Sequence, residues 1–461
     1  MRNELLYKWV FSFMASLLVV IVVATQFRLM KAVDYIVIPP PSVSEEGEVQ
    51  EDQGTPGVIL SQNGEVIFNG SHTTYPEFYV TAANINSGNG THLSHQTIAY
   101  KYREELAIES LSVWGGMHSF KGRSGSEIST TLLSGQDHAA IREAFSGYQG
   151  ALFAYDYVTG EVLINLSLPS AQTGTETDGH LTNRVFGYHT PGSTMKMVTL
   201  ICALTQNPEL RDFTHSCTGS YKLPSGGEVT CEYVHGSSLS MSDAIGHSCN
   251  CYFAALIGQL DVEETCEILQ SLGFNTKEEK ALEDHIDRLV YRKGYASFNS
   301  NSSFDSVWRL IGQGSTVSLV DMARIAGAVA NGGSSAKPYI IEQIYDPDTD
   351  TVTHQAAPGA NTELMSSSVA DTLFDLWSRA VEERYYTRKT PLDNRVTLAK
   401  SGTSEHIDAA TGEEYNNRLL VGVMEEHDVA FMLMVEHLPA GDSLIVTIAN
   451  TLAQVIDDAG R

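Results

Sequence analysis

The sequence predicts an α+β protein, and two observations carry that prediction. Strand-like runs stand at both ends of the long C-terminal part, as GALFAYDYVTGEVLINLSL near Gly150 and as RVTLAK, RLLVGVM and VAFMLMVEHL after Asn394, while helical periodicity fills the interval from Ser193 to about Val329. Strands distant in the chain with helices between them assemble into one sheet that buries its faces against those helices. The composition supplies the material: 461 residues, 42% hydrophobic and 9% aromatic, are ample for a packed core. With 29 basic against 56 acidic residues, the net charge of -27 disfavours attraction to nucleic acid or to anionic lipid headgroups, so attachment to a membrane has to be apolar.

That apolar contact is expected at WVFSFMASLLVVIVVAT, Trp9 to Thr25, an uncharged run close to the roughly 20 residues that cross a bilayer. A cleaved signal peptide is the alternative, but the run is longer than an h-region of about 7 to 15 residues and VVATQ lacks a small-residue cleavage pattern. Residues 1–30 are therefore expected to be a cytoplasmic tail and a single-pass anchor. Residues 31–57, rich in Pro, Gly and acidic side chains, are expected to be a linker. Weak alternation and the Asn63-Gly64 turn signal predict a small β-containing domain over 58–147, and a second domain over 148–461 opens with a hairpin turning at Thr159-Gly160. Within it, SLVDMARIAGAVANGG predicts a helix closed by Gly332-Gly333, and a final helix is expected within Ser443 to Asp458.

Chemistry concentrates at HTPGSTMKMVTL. Pro191 and Gly192 place Ser193 at a helix start, beside unpaired N–H groups and the positive dipole end. Lys196 shares its face three residues on, and burial there would lower the lysine pKa until a neutral amine can take the serine proton. A snorkelling lysine on an ordinary helix is the alternative, and Ser334-Ser335-Ala336-Lys337 repeats the motif in what is expected to be a loop. Ser248-Cys249-Asn250 fits a proton relay at a helix junction, with a helix cap as the plain reading of Asn250. Lys400-Ser401-Gly402-Thr403 ends a strand-like run, where a cation and two hydroxyls can hold a carboxylate and Gly402 admits close approach of a ligand, or where a turn merely exposes its lysine.

The three motifs in this order resemble the transpeptidase domain of penicillin-binding proteins, and with the anchor and the preceding domain the chain is similar to a class B member. The hairpin at GALFAYDYVTGEVLINLSLPS, the segment CTGSYKLPSGGEVTC with His235-Gly236, and LIGQGSTVSLVDMARIAGAVANGG extend the resemblance from about Gln149 to the C-terminus. It implies an antiparallel sheet with helices on both faces and a helical subdomain. It further implies a peptidoglycan D,D-transpeptidase with its catalytic domain outside the cytoplasm. Ser193 would be the nucleophile, Lys196 its base, Ser248 and Asn250 the relay and substrate contact. Lys400, Ser401, Gly402 and Thr403 would bind the terminal carboxylate, and the N–H groups of Ser193 and Thr403 would form the oxyanion hole. The implied partners are D-Ala-D-Ala stem peptides, β-lactams, the membrane and a polymerising glycosyltransferase, with no nucleic acid. A β-lactam sensor or scaffold, a β-lactamase and a carboxypeptidase are the alternatives. No Glu-X-X-Leu-Asn segment supplies a deacylating base, and Glu263, Glu264 and Glu267 are expected to be a solvated face.

An extracytoplasmic location would permit a disulfide between Cys217 and Cys231, which bracket a Gly-rich hairpin-like loop. Cys202, Cys249, Cys251 and Cys266 sit in apolar helical surroundings and are expected to be buried small residues; Cys249 and Cys251 have the wrong spacing for a zinc knuckle, and no His-Glu-X-X-His appears. No metal and no organic cofactor is implied.

Overall fold

The structure, a computed structural model, describes residues 56–69, 78, 97–107, 123–169, 183–277, 282–357, 359–407, 414–439 and 442–461. The expected anchor and almost all of the expected linker lie outside these residues. Among the described residues no helix is long and apolar enough to cross a membrane.

A five-stranded antiparallel sheet forms the centre, in the order Leu398–Ile407, Glu414–Met424, Val429–Val435, Gly150–Asp156, Val162–Leu168. The first hairpin turns where expected: the Asp156 carboxylate accepts from the N–H groups of Val158 and Thr159 at 2.8 and 2.7 Å, and Gly160 takes a φ of +89°. Every residue of Val429–Val435 and Val162–Leu168 is buried. Because successive strand side chains point to opposite faces, such strands require cover on both. The helix Leu319–Ala330, capped by Ser318, packs on Val429–Val435 and Gly150–Asp156, while Leu444–Asp458 packs on Glu414–Met424 and against the helix Gly135–Ala144.

The segment 58–147, expected to stand as a domain, shares its sheet with a later hairpin. Glu127–Thr130 runs parallel to Val58–Leu60 and antiparallel to Ile341–Asp346, which in turn pairs with Thr351–Gln355. Two three-residue strands joined by a turn bury too little to stand alone, so they recruit edges from elsewhere in the chain. The second Ser-X-X-Lys also departs from expectation. Ser334–Ala336 is a short strand paired with Asn361–Glu363, and the buried Ser335 hydroxyl is hydrogen-bonded to Tyr155.

A helical layer is built around Lys196–Gln206, which is buried continuously from Lys196 to Leu204. It packs against Asn250–Ile257, Val262–Ser271, Phe304–Ile311 and Ser367–Arg384. A helix that is apolar all round belongs in an interior. Its one cation is therefore carried into the core with it.

Candidate active site

Ser193 lies in a 3-10 turn, Gly192–Met195, that feeds directly into the helix beginning at Lys196. The turn is held by the Thr194 hydroxyl, which donates to the Pro191 carbonyl at 2.8 Å. One turn on, the Lys196 side chain is 1% exposed, and its Nζ lies 3.0 Å from Ser193 Oγ, 3.1 Å from Ser248 Oγ, 2.7 Å from the Ser248 carbonyl and 2.6 Å from Asn250 Oδ1. Burial first, then the charge of Lys400, holds this lysine well below the ordinary lysine pKa. A neutral amine has two N–H donors and one lone pair. The carbonyl of Ser248 and the amide oxygen of Asn250 can only accept, so they take the two donors and leave the lone pair for a hydroxyl proton. The snorkelling alternative is excluded by the burial.

Ser248 closes the helix Met241–His247 in the left-handed conformation, φ 54°, and this reversal turns its hydroxyl between two amines: Lys400 Nζ is 3.0 Å away on the other side. The cap of the next helix is Cys249, whose sulfur accepts from Tyr252 N at 3.4 Å, rather than Asn250. Asn250 is thereby free to use its amide for the site, with Nδ2 donating to the Thr230 carbonyl at 2.9 Å and Oδ1 facing Lys196.

Lys400, 2% exposed, lies on the edge strand of the central sheet, so the turn alternative does not hold. Burial, then Arg388, pushes its pKa down to about 7. Ser401 is held by Tyr385, whose hydroxyl accepts from the Ser401 N–H at 2.9 Å and lies 3.0 Å from its Oγ. Thr403 stands in register with Arg418, which donates to its hydroxyl, and Gln313 Nε2 donates to its carbonyl at 3.1 Å. Gly402 meets a different need from the one expected. A Cβ there would come within 2.4 Å of the Pro191 carbonyl, so the glycine seats the protein's own serine turn against the strand.

Ser193, Lys196, Ser248, Asn250 and Lys400 thus form one hydrogen-bonded set, and the Ser401–Thr403 edge continues from it. Tyr385 and Arg418 were missed. Arg418 becomes visible only through strand register, and nothing near Tyr385 in the sequence marks it. Among the described residues no carboxylate bonds to Ser193, Lys196, Ser248 or Lys400. Glu263, Glu264 and Glu267 are exposed.

The expected Cys217–Cys231 disulfide is not formed; both thiols are free. Strand pairing explains the difference. His215–Cys217 pairs with Gly236–Leu239, which sets the Cys217 sulfur beside His235, whereas Cys231 follows the Glu228–Thr230 strand and turns toward Cys249 and Cys251. The sulfurs of Cys217, Cys231 and Cys249 and one ring nitrogen of His235 all lie within 4.8 Å of one another, so these four residues could hold a metal ion.

A serine at a helix start, activated by a buried lysine one turn on and facing a cationic sheet edge, defines the serine penicillin-recognising class of acyl transfer proteins. Residues 150–454 match the penicillin binding protein transpeptidase domain. The chain belongs to that family, on its class B branch. It is 25% identical over 366 residues to the peptidoglycan D,D-transpeptidase PbpA of Mycolicibacterium smegmatis, covering 71% of each chain. It is 26% identical over 274 residues to penicillin-binding protein PbpB of the same organism, covering 57% of this chain but only 41% of that one. In fold it is similar to the D,D-transpeptidase domain of a peptidoglycan glycosyltransferase from Eggerthella lenta, with a TM-score of 0.70, 20% identity, and coverage of 88% of this chain and 99% of the other.

Proposed function

We propose that this protein is a peptidoglycan D,D-transpeptidase that cross-links stem peptides through an acyl-enzyme on Ser193 and is inhibited by penicillin. The single observation that carries the reading is the Lys196 amine, buried and 3.0 Å from Ser193 Oγ with its other partners fixed. Lys196 takes the Ser193 proton as Oγ attacks the carbonyl of the penultimate D-Ala. Ser248, between the two lysines, passes a proton to the departing D-Ala amine. Lys400, Ser401 and Thr403, with Arg418 behind the threonine, receive the terminal carboxylate. The oxyanion falls to the N–H groups of Ser193 and Thr403; a Cβ on Gly192 would come within 2.7 Å of Thr403 N, which supports that pairing.

The acyl-enzyme then waits for an amine. A β-lactamase has to activate water instead, and the lack of a carboxylate at this site among the described residues favours the transpeptidase over it. Attachment through Trp9–Thr25 with the catalytic part outside the cell membrane, and pairing with a polymerising glycosyltransferase, complete the proposal. Membrane fractionation of chains with and without residues 1–30 tests the attachment.

Intact-mass measurement after exposure to penicillin should show a lasting single adduct on the wild type and none on Ser193→Ala. Lys196→Ala should acylate ~10² to 10⁴ times more slowly while keeping its circular dichroism spectrum. A stem-peptide donor with an acceptor amine should give the transfer product. Equal labelling of Ser193→Ala, or rapid adduct loss with sustained cephalosporin turnover, would overturn the reading.

A further inference from the structure

Four residues from three places in the chain meet directly behind the Ser248–Asn250 segment. Cys217 ends a strand whose pairing with Gly236 brings His235 beside it, and the Cys217 sulfur lies 3.4 Å from His235 Nδ1. Cys231 follows the next hairpin, and its sulfur is 3.8 Å from that of Cys249, the cap of the helix Asn250–Ile257. We infer that Cys217, Cys231, His235 and Cys249 form a structural zinc site of Cys3His type, tying the 217–235 loop to the Ser248-Cys249-Asn250 segment.

The spacing suits a tetrahedral ion. Zinc–sulfur bonds of about 2.3 Å and zinc–nitrogen bonds of about 2.0 Å at tetrahedral angles place sulfurs about 3.8 Å apart and sulfur about 3.5 Å from nitrogen. The two contacts above, at 3.8 and 3.4 Å, match, and all four ligand atoms fall within 4.8 Å of one another. The surroundings suit thiolates. Backbone N–H groups of Cys251 and Tyr252 each donate to sulfur at 3.4 Å, to Cys231 and Cys249 respectively, as the supporting donors of a metal-bound thiolate do. Cys217 and Cys249 are buried while Cys231 and His235 are half-buried, which leaves a route for the ion. Three thiolates and an imidazole in this arrangement select zinc over oxygen-seeking cations. Four protein ligands close the coordination sphere, so the ion is structural and no step of acyl transfer passes through it.

Cys251 is a bystander in this assignment. Its sulfur is 3.4 Å from that of Cys231, but it stands outside the group of four. That makes the ligand set testable. Full-length protein, isolated under reducing conditions from medium containing zinc, should carry one zinc ion per chain by plasma mass spectrometry. Replacement by Co(II) should produce the intense visible absorption and thiolate charge-transfer band of a tetrahedral site. His235→Ala and Cys217→Ser should lose the metal and the band, whereas Cys251→Ser should keep both. Penicillin acylation, which depends on the function proposed above, is a second readout: chelation should slow it severalfold and zinc restore it. The metal count stands whether or not that function does. Wild-type protein with neither zinc nor a cobalt spectrum, or freshly isolated protein with Cys231 bonded to Cys249 or Cys251, would overturn the site.

Discussion

Lys196 and Lys400 are two amines in one buried set, linked through the Ser248 hydroxyl at 3.1 and 3.0 Å. Two full charges there would repel without water to screen them, and burial lowers both. The consequence for stability has a definite sign. With Lys400 at about 7 in the folded protein against an ordinary 10.5, the unfolded chain holds a proton between those values that the folded chain does not, so stability rises with pH across that window. Urea midpoints should therefore climb from about pH 7 to about pH 10. Lys400→Met, which carries no proton in either state, should make the climb shallower and leave the part that the buried Lys196 contributes. An unchanged slope would mean that Lys400 keeps its charge in the fold. The motif residues were legible because each carries chemistry out of keeping with its surroundings, such as an ammonium in an apolar helix. Tyr385 and Arg418 were not, because a tyrosine in a helix-to-loop segment and an arginine on a strand are ordinary until the pairing of Thr403 with Arg418 is known.

At the scale of elements, the site depends on three backbones meeting at glycines. Gly192 starts the serine turn, Gly402 seats it against the edge strand, and Gly312, at φ +115°, ends the helix Phe304–Ile311 against it. A Cβ on Gly312 would lie 1.7 Å from the Gly192 carbonyl oxygen, with only backbone to yield. Gly312→Ala should cost about 3 kcal/mol or more, from left-handed strain together with overpacking, and penicillin labelling should fall with it. Gly64→Ala is the control: its φ is +81°, nothing stands within 4 Å of the new carbon, and the loss should be about 1 kcal/mol. Chemical denaturation of the two variants measures the difference. The Gly-Gln-Gly stretch at 312–314 stands out in the sequence, yet its contact with a turn about 120 residues earlier is a property of the packed fold.

At the scale of the whole molecule, the early strands and the catalytic part share one sheet. Glu127–Thr130 pairs with Ile341–Asp346, and Arg123 forms a 2.7 Å ion pair with Asp346. Trimming the chain to residues 148–461 would expose the Ile341–Asp346 edge and the apolar groups Ile341 and Ile344 that it buries. Such a chain should aggregate or melt well below the chain that begins at 52. Equal melting temperatures would show that the early segment folds and unfolds by itself.

The sequence by itself determined the local elements, namely the opening hairpin, the helix at Leu319–Ala330, the final helix and the three late strands, and it set the order of the three motifs on which the proposed acyl-transfer site rests. These follow from periodicity, turn residues and side-chain type, all of which act over a few neighbours. Only the tertiary structure decided which partner each of those elements meets. The 58–147 strands joined a sheet with residues 341–355, Gly402 accommodated Pro191 instead of a ligand, and Cys217 turned to His235 while Cys231 turned to Cys249 and Cys251. The physical reason is common to all three. Edge pairing, close backbone approach and sulfur clustering are each settled by contacts between distant segments, and whichever arrangement buries the most surface with its polar groups satisfied prevails over the nearer pairing that spacing suggests.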